Sequence, residues 1–331
     1  MKEFRNPLYY IYFILTVGIA FPLLSMFLFR PLTGDLTRIG ALPELLFAPN
    51  ISQQSLYRIN HRSSNSPPNY FIIGDSFTGE GLWQQFALPE DSSFTSYNFG
   101  QVCQDFTKYI TSLKLSNSTV IVQLVERYFD ERLFSTCTTS ELFKAPQNSL
   151  QKLSYPSSPS LFKGLYGPRY IFGSLSYLLL RQPQYRSGDS GGVVIRSIPD
   201  GCLLFSHSDC VKSLFLGDDF AMANSFSSPN FSPFIHYIRH AGFSRIILVV
   251  IPNKSSVYLN DLQSNLAKDS LIDKFANTNN IENIPLFAEF YKSSRVIPDF
   301  YRPNDTHLSH SGYMTLGTII YSYLTEPNSS L

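Results

Sequence analysis

Two short runs of aliphatic and β-branched residues constrain the fold most strongly: TVIVQLV at 119–125 and RIILVVI at 245–251. Apolar runs of this length are typical of parallel strands that are buried on both faces of a sheet. Shorter strands are predicted at 70–73 and 96–99, and helical segments with short connections separate the strands. This alternation predicts an α/β fold, a three-layer doubly wound parallel sheet with helices on both faces.

The rest of the chain follows the same plan with one long interruption. Sequence patterns predict a short strand near 295–297 and helices at 76–86, 104–115, 161–180, 233–241, 259–277 and 309–324. From about 130 to 230 the alternation is lost in a stretch rich in Ser, Pro and Tyr. We interpret this stretch as a long insertion within one domain.

The segment at 8–29 carries no charged residue and would span about 30 Å as a helix. It predicts an uncleaved membrane anchor, preceded by a short tail at 1–7. Basic residues lie on both sides of this segment, so they do not fix its orientation. Loop-forming residues, ending in HRSSNSPPN, predict a juxtamembrane linker at 30–68 and a folded domain at 69–331.

Composition excludes some functional classes. A formal charge of +1, with charged residues making up 15% of the chain, provides no basic surface of the kind that binds nucleic acid. The 28 Phe and 20 Tyr residues suit a well-packed core, and such rings also stack on sugar faces. A nucleic-acid partner is therefore not predicted, whereas a polysaccharide partner is compatible with the composition.

The four cysteines do not form a metal-binding pattern. There is no CxxC pair and no accompanying His spacing, so no metal or cofactor site is predicted. Cys202 and Cys210 enclose a short polar loop and are the best candidates for a disulfide, while Cys103 and Cys137 form a weaker candidate pair. Buried free thiols are the alternative.

Three loops follow predicted strands or precede the last helix, which is where the reactive groups of an open parallel sheet gather. They are GDSFTG at 74–79, NFGQ at 98–101 and RPNDTHLSHSGY at 302–313. The helix N-termini at such loops favour developing negative charge.

Two of these loops, at 74–79 and 302–313, supply a complete Ser-His-Asp triad. Ser76 is the predicted nucleophile, His307 the base that takes its proton, and Asp305 the carboxylate that orients and stabilises the imidazole. The backbone amides of Ser76 and Gly100 are the predicted oxyanion donors, because glycine lets the backbone approach a substrate closely. The alternatives are that Ser76 is a simple helix N-cap and that His310 is the base.

The triad motifs resemble a known family. GDSF near the start of the domain and DTHLSHSGY near its end look like the first and last blocks of SGNH (GDSL-type) hydrolases. VQLVERYF at 122–129 and VVIPNKSSVY at 249–258 resemble the SGNH-like domain of alginate O-acetyltransferase proteins of the AlgJ and AlgX type. The similarity covers about 69–324, and it implies an SGNH/flavodoxin-like fold.

The chain departs from both patterns. Asp-Thr-His follows the serine here, as in ordinary SGNH enzymes, whereas AlgJ and AlgX place it before the serine. Leu308 replaces the Trp that usually follows this His. The Gly-x-Asn-Asp block of ordinary SGNH enzymes, which supplies an oxyanion-hole Asn, is absent, and its neighbourhood is expected to hold Gln123, Glu126 or Arg127.

The orienting carboxylate has two candidate registers. The Asp-x-x-His spacing of ordinary SGNH enzymes would place Asn304 beside the imidazole, whereas the Asp-x-His spacing of the AlgJ-like motif selects Asp305. An amide does not stabilise imidazolium as a carboxylate does, so Asp305 is predicted.

The resemblance implies a membrane-anchored serine O-acyltransferase that carries an acetyl group on Ser76 and passes it to a sugar hydroxyl of an exopolysaccharide or cell-surface glycan. It also implies a single-pass protein of a cell inner membrane, with the catalytic domain facing the periplasm or cell exterior. A multi-spanning membrane O-acyltransferase is the expected acyl donor. A carbohydrate esterase, and an inactive domain that binds polysaccharide or assembles a complex, are the alternative functions.

Three further residues are candidate substrate contacts: Glu126, Arg127 and Lys254. For the first two, the alternative is an ion pair at the end of a strand. For Lys254, which would bind a substrate carboxylate, the alternative is a solvated loop lysine.

Overall fold

The computed structural model describes residues 7–28, 33–51, 57–59, 61–62, 68–99, 118–129, 151–152, 168–180, 185–186, 192–220, 231–240 and 242–325. The strands, in chain order, are β1 (Tyr57–Arg58), β2 (His61–Arg62), β3 (Tyr70–Gly74), β4 (Phe94–Asn98), β5 (Thr119–Val125), β6 (Gln151–Lys152), β7 (Tyr185–Arg186), β8 (Val193–Ser197), β9 (Lys212–Leu216), β10 (Arg245–Ile251) and β11 (Glu282–Ile284). The helices are α1 (Pro7–Leu28), α2 (Asp35–Gly40), α3 (Glu44–Phe47), α4 (Ser76–Gly79), α5 (Gln84–Ala87), α6 (Pro168–Leu180), α7 (Gly201–Leu204), α8 (Phe231–His240), α9 (Lys254–Leu259), α10 (Leu262–Thr278), α11 (Phe287–Val296) and α12 (His310–Thr325). Short 3₁₀ helices follow β5 and β9, at Glu126–Tyr128 and Gly217–Phe220.

The central sheet has the strand order β11-β10-β5-β3-β4-β2. Its first five strands run parallel, and β2 is antiparallel at the edge. β5 and β10 pair along their whole lengths, from Thr119 opposite Arg245 to Val125 opposite Ile251. The predicted α/β fold is confirmed, and both of these strands have the predicted bounds.

Alternate residues of each strand point to opposite faces of the sheet, and helices pack on both faces. On one face, Ile121 and Val249 form an apolar cluster with Trp83 and with residues of α12. On the other face, Val122 and Val250 pack with residues of α8 and α10. The strands are therefore buried on both sides, as their continuous apolar sequences predict.

A second, three-stranded antiparallel sheet forms from β7, β8 and β9, within the predicted insertion. The disulfide between Cys202 and Cys210 lies between β8 and β9, so this predicted pair is confirmed. Cys103 and Cys137 lie outside the described residues.

Residues 33–51, predicted to be part of a linker, pack against this second sheet instead. Leu36, Leu42 and Phe47 are fully buried in a cluster with Val193 and Leu214. β2, from the end of the same predicted linker, pairs with β4 of the central sheet. The prediction that the folded unit starts near residue 69 is corrected because the apolar face of this segment covers the inserted sheet.

Several predicted elements differ from the structure. The helix predicted at 76–86 forms as α4 and α5, and the one predicted at 259–277 forms as α9 and α10, since Asp261 caps a new helix by accepting from the Ser264 amide. The strand predicted near 295–297 is wrong: these residues end α11, and the edge strand is β11. The helix predicted at 104–115 lies outside the described residues.

The membrane anchor predicted at 8–29 coincides with α1. Among the residues that the structure describes, however, none of the helices has both the length and the apolar character that crossing a membrane requires. The anchor stays a prediction from the sequence.

We expect Phe47→Ala to lower the free energy of unfolding by about 3–5 kcal/mol, because it leaves a cavity in a well-packed cluster. The Phe47 ring is fully buried and lies 5.6 Å from the ring centres of both Tyr177 and His207. Leu45→Ala in the same helix is the matched control, since Leu45 is 43% exposed. Urea unfolding measures both. A loss for Phe47→Ala no larger than for Leu45→Ala would contradict the packing of this segment.

Candidate active site

The turn at 74–79 carries Ser76, the predicted nucleophile, and is here called the nucleophile turn. It lies at the carboxyl end of β3, where the order of the strands reverses. β4 pairs on one side of β3 and β5 on the other. Crevices at such switch points are the usual ligand sites of open α/β sheets. Ser76, the first residue of α4, is exposed there, while Asp75 and Phe77 on either side of it are buried.

Asp75, and not Ser76, caps the helix. One oxygen of the Asp75 carboxylate accepts the Phe77 amide at 3.0 Å, and the other accepts the Val125 amide at 2.8 Å. The second bond ties the nucleophile turn to the end of β5. The Ser76 hydroxyl is therefore not used as the helix cap. The Ser76 backbone amide lies at the first helical position, where the helix itself provides no acceptor for it.

Gln123 holds the turn from beneath. Its Oε1 accepts from the Asp75 amide at 3.2 Å and from the Thr78 hydroxyl at 2.8 Å. A Cβ at position 74 would lie 2.1 Å from the Thr78 hydroxyl oxygen and 2.6 Å from this Oε1, so only Gly74 fits. Gln123 therefore supports the nucleophile turn and is buried below it.

The loop before α12 brings the other two predicted triad residues, Asp305 and His307, to Ser76. His307 Nε2 lies 3.0 Å from the Ser76 Oγ, and His307 Nδ1 lies 2.7 Å from the Asp305 Oδ1. The same Asp305 oxygen accepts the His307 backbone amide at 2.9 Å. In the neutral imidazole, an Nδ1–H donated to Asp305 leaves the Nε2 lone pair facing the Ser76 hydroxyl. The Phe77 ring packs against the imidazole, with ring centres 4.9 Å apart.

The surroundings of this loop stabilise imidazolium. Burial favours a neutral His307, but the hydrogen bond to Asp305 and the Asp305 charge outweigh it, with Glu80 and Asp35 adding to them, and raise the pKa of His307 to about 9. Burial also favours a neutral Asp305, but the hydrogen bond and charge of His307 and the charge of Arg302 hold the pKa of Asp305 below its usual value. The contact between Asp305 and His307 therefore favours the protonated form of the imidazole.

Asn304 and His310 do not take the positions that the alternative interpretations give them. The Asn304 amide donates to the Thr33 hydroxyl at 3.1 Å and to the Glu44 carboxylate, away from the imidazole. The His310 ring lies edge-on to Phe86, and its Nδ1 has no hydrogen-bond partner among the described residues. Asp305 thus faces His307, and His307 faces Ser76.

Lys254 lies under the loop and is not a free cation. Its ammonium donates to the backbone oxygens of Arg302 at 2.9 Å, Pro303 at 2.8 Å and Asp305 at 3.4 Å. The residue is 1% exposed, and burial, partly offset by nearby carboxylates, lowers the pKa of Lys254 to about 7. The predicted substrate contact is therefore corrected: Lys254 satisfies the loop backbone.

Glu126 is also engaged within the protein. Its carboxylate accepts from the Asn253 amide at 2.8 Å and the Ser256 hydroxyl at 2.6 Å, and it forms an ion pair with Lys268. These bonds join the end of β5 to the segment after β10. The proposed substrate contact is replaced by a structural network.

Arg127 forms a separate buried ion pair. Its guanidinium lies 3.2 Å from the Asp219 carboxylate, and the Asn253 side chain accepts from both its backbone amide and its guanidinium at 3.3 Å. Both side chains of the ion pair are nearly inaccessible to solvent. Arg127 therefore pairs neither with Glu126 nor with the surface, and it ties β5 to the 3₁₀ turn after β9.

The second predicted oxyanion donor, Gly100, lies outside the described residues. The Ser76 amide remains a predicted donor, because it lies at the start of α4 beside the nucleophile.

Two acidic residues at the site were missed from the sequence. Asp35 accepts from the Thr306 amide at 2.9 Å and from its hydroxyl at 2.6 Å, and Glu44 accepts from Asn304. Neither residue stands out in the sequence, because both lie in the segment that loop-forming residues assign to a linker.

One group among the described residues is close enough to share a cation: Asp35, Asp305 and His307, whose ligand atoms all lie within 4.8 Å of one another. Those atoms already have partners: both Asp35 oxygens accept from Thr306, and Asp305 accepts from His307. We therefore interpret the group as a hydrogen-bonded network and assign no metal to it.

No family model matches the chain, and no curated protein matches it. The resemblance to SGNH proteins therefore remains a prediction from the motifs.

We expect Lys254→Met to lower the free energy of unfolding by about 2–4 kcal/mol. Loss of a donor costs about 1–3 kcal/mol for each of the three buried carbonyl oxygens, and removing a buried charge offsets part of this loss. Lys274→Met, at an exposed position of α10, is the matched control. Denaturant unfolding tests the pair, and equal effects of the two substitutions would contradict the role of Lys254.

We expect the His307 imidazole to titrate near pH 9, and Asp305→Asn to lower its pKa, as measured by NMR. Because the pKa of His307 rises on folding from 6.5 to about 9, its stabilising contribution is complete below pH 6.5 and is lost as the pH rises through about 9. The difference in unfolding free energy between wild type and His307→Gln should shrink over this range. A difference that does not change with pH would contradict the assignment.

Proposed function

We propose that the protein is a serine acyl-transfer enzyme that works through an acyl-Ser76 intermediate. The observation that supports this proposal is the continuous chain of contacts from Asp305 through His307 to Ser76, with distances of 2.7 and 3.0 Å. Three features favour a catalytic arrangement over a structural one: the exposed hydroxyl at a switch point, the buried carboxylate and the raised imidazole pKa.

In the first half-reaction, the Ser76 oxygen attacks the acyl carbon while His307 Nε2 takes the hydroxyl proton. Asp305 stabilises the imidazolium that forms, and the Ser76 amide is the proposed donor to the oxyanion. The tetrahedral intermediate then collapses: the bond between the acyl carbon and the donor oxygen breaks, and that oxygen takes the proton from the His307 imidazolium and departs as an alcohol. An ester between the acyl group and Ser76 remains.

In the second half-reaction, an acceptor hydroxyl attacks this ester. His307 takes the acceptor proton and returns it to the Ser76 oxygen as the new ester leaves. The acceptor decides the outcome: a sugar hydroxyl gives O-acylation, and water gives hydrolysis.

We propose O-acetylation of an exopolysaccharide or cell-surface glycan as the biological reaction. The acetyl group, the glycan acceptor and a multi-spanning membrane acyltransferase as donor are supported by the resemblance to the AlgJ and AlgX type. An extracytoplasmic location is supported by the Cys202–Cys210 disulfide, since disulfides persist in oxidising compartments.

Hydrolysis by the same site is the second candidate function, because Ser76 is exposed. A water molecule that reaches the acyl-Ser76 ester would make the protein a carbohydrate esterase. The two functions share the first half-reaction and differ in the second.

The decisive experiment is labelling with a fluorophosphonate, together with turnover of a model acetyl ester. We expect labelling of the wild-type protein and of Ser270→Ala, an exposed-serine control, and no labelling of Ser76→Ala. Turnover by Asp305→Asn should fall by about four orders of magnitude, as for other triads. Equal labelling of wild type and Ser76→Ala would contradict the proposal and favour a non-enzymatic polysaccharide-binding or assembly role.

Adding an oligosaccharide acceptor separates transfer from hydrolysis. A transferase forms acetylated sugar at the expense of free acetate, whereas an esterase releases acetate at the same rate with or without the acceptor.

A further inference from the structure

Residues 33–47, here called the strap, run along the loop that carries Asp305 and His307. The Leu36 amide donates to the Asn304 backbone oxygen at 3.1 Å. A Cβ at Gly34 would lie 2.0 Å from the same oxygen, so the two backbones are in direct contact at this point. The contact joins the strap, which precedes Ser76 in the chain, to the loop at 302–307, which follows it.

Glu44 fixes the strap to itself and to the loop. Its buried carboxylate accepts from the Thr33 amide at 3.2 Å, from the hydroxyls of Thr33 and Thr37, and from the Asn304 side chain. A buried carboxylate with this many donors holds the strap in one conformation. It thereby sets the position of the neighbouring Asp35.

Asp35 contacts the loop between Asp305 and His307. Both of its oxygens accept from Thr306, which lies between Asp305 and His307, at 2.9 Å from the amide and 2.6 Å from the hydroxyl. The bidentate contact fixes the backbone and the side chain of Thr306 together. Rotation of the loop that would carry the imidazole away from Ser76 must therefore break both bonds.

Asp35 also brings a second carboxyl group to the imidazole. Its carboxylate oxygen lies within 4.8 Å of ligand atoms of both Asp305 and His307. Burial, with a further contribution from the Asp305 charge, raises the pKa of Asp35 to about 6. Asp35 is therefore ionised over the range in which a His307 base operates.

We propose that Asp35 is a positioning residue of the active site, which holds the His307 loop through Thr306 and places a second negative charge against the imidazole. This inference rests on the proposed acyl-transfer function. The strap acts through the loop, since both Asp35 oxygens bond Thr306.

The charge is one of several that face the imidazole. The elements around it contribute Asp305 and Arg302 from its own loop, Glu80 from the end of α4, Asp35 from the strap and Lys254 from α9. Removing the Asp35 charge leaves the others in place, so it should lower the pKa of His307 without abolishing the pair with Asp305.

The test compares the pH dependence of kcat/KM for wild type, Asp35→Asn and Thr306→Val. Asp35→Asn should lower the plateau by about tenfold, because a small displacement of the base is costly. It should also shift the rising limb of the profile, which reports deprotonation of the His307 imidazole, toward lower pH by about one unit, because a nearby negative charge is lost. Thr306→Val keeps the charge, so it should lower the plateau and leave the limb in place.

Glu289→Gln removes an exposed carboxylate of α11 and is the control, expected to change neither plateau nor limb. An unmoved limb in Asp35→Asn would overturn the inference, whether or not the plateau falls, since a merely structural role predicts that result. If Asp35→Asn does not fold in a denaturant assay, Thr306→Val decides, and an unchanged plateau overturns the positioning role.

NMR titration of His307 without substrate separates this inference from the proposed function. Asp35→Asn should lower the pKa of the His307 imidazole by about one unit in this measurement as well. If wild type shows no Ser76 labelling and no turnover, the proposed function fails while the titration still decides the role of Asp35. An imidazole pKa that is equal in the two proteins overturns the inference.

Discussion

The need to satisfy buried backbone polar groups in an irregular loop governs this structure. The loop at residues 302–307 has neither a helical nor a strand ladder to bond its carbonyl oxygens, and such groups are costly when left unpaired. Lys254 bonds three of them from below, and the strap bonds the loop from the side. The proximity of His307 to Ser76 depends on these contacts, because they fix the loop that carries the imidazole.

The charged residues around the loop at 302–307 have different structural roles. Lys254 lies beneath the backbone and Asp35 beside the imidazole, while Arg302 lies 3.5 Å from Glu80 and 3.8 Å from Asp305. Glu126 and Arg127, at the end of the neighbouring strand, instead fasten β5 to the segments after β9 and β10. The nucleophile turn is held separately, by Asp75 and Gln123.

The sequence predicts well those features that local patterns encode. β5 and β10 have their predicted bounds because both faces of each strand are apolar, and Ser76, Asp305 and His307 occur in short motifs at strand and helix ends. The roles of Lys254 and the strap could not be predicted in this way. Each depends on contacts between segments that are distant in the chain, and such contacts produce no periodic sequence pattern. The acidic residues of the strap also lie in a stretch whose loop-forming residues predict a linker.

The pairing of the strap with the loop also bears on how the molecule folds. Asp35 and Thr306 are 271 positions apart in the chain, and Ser76 and His307 are 231 apart. Contacts of such long range form late, since a large loss of chain entropy precedes them. During synthesis Ser76 therefore emerges long before His307, and the two side chains can meet only after the loop at 302–307 has left the ribosome and docked.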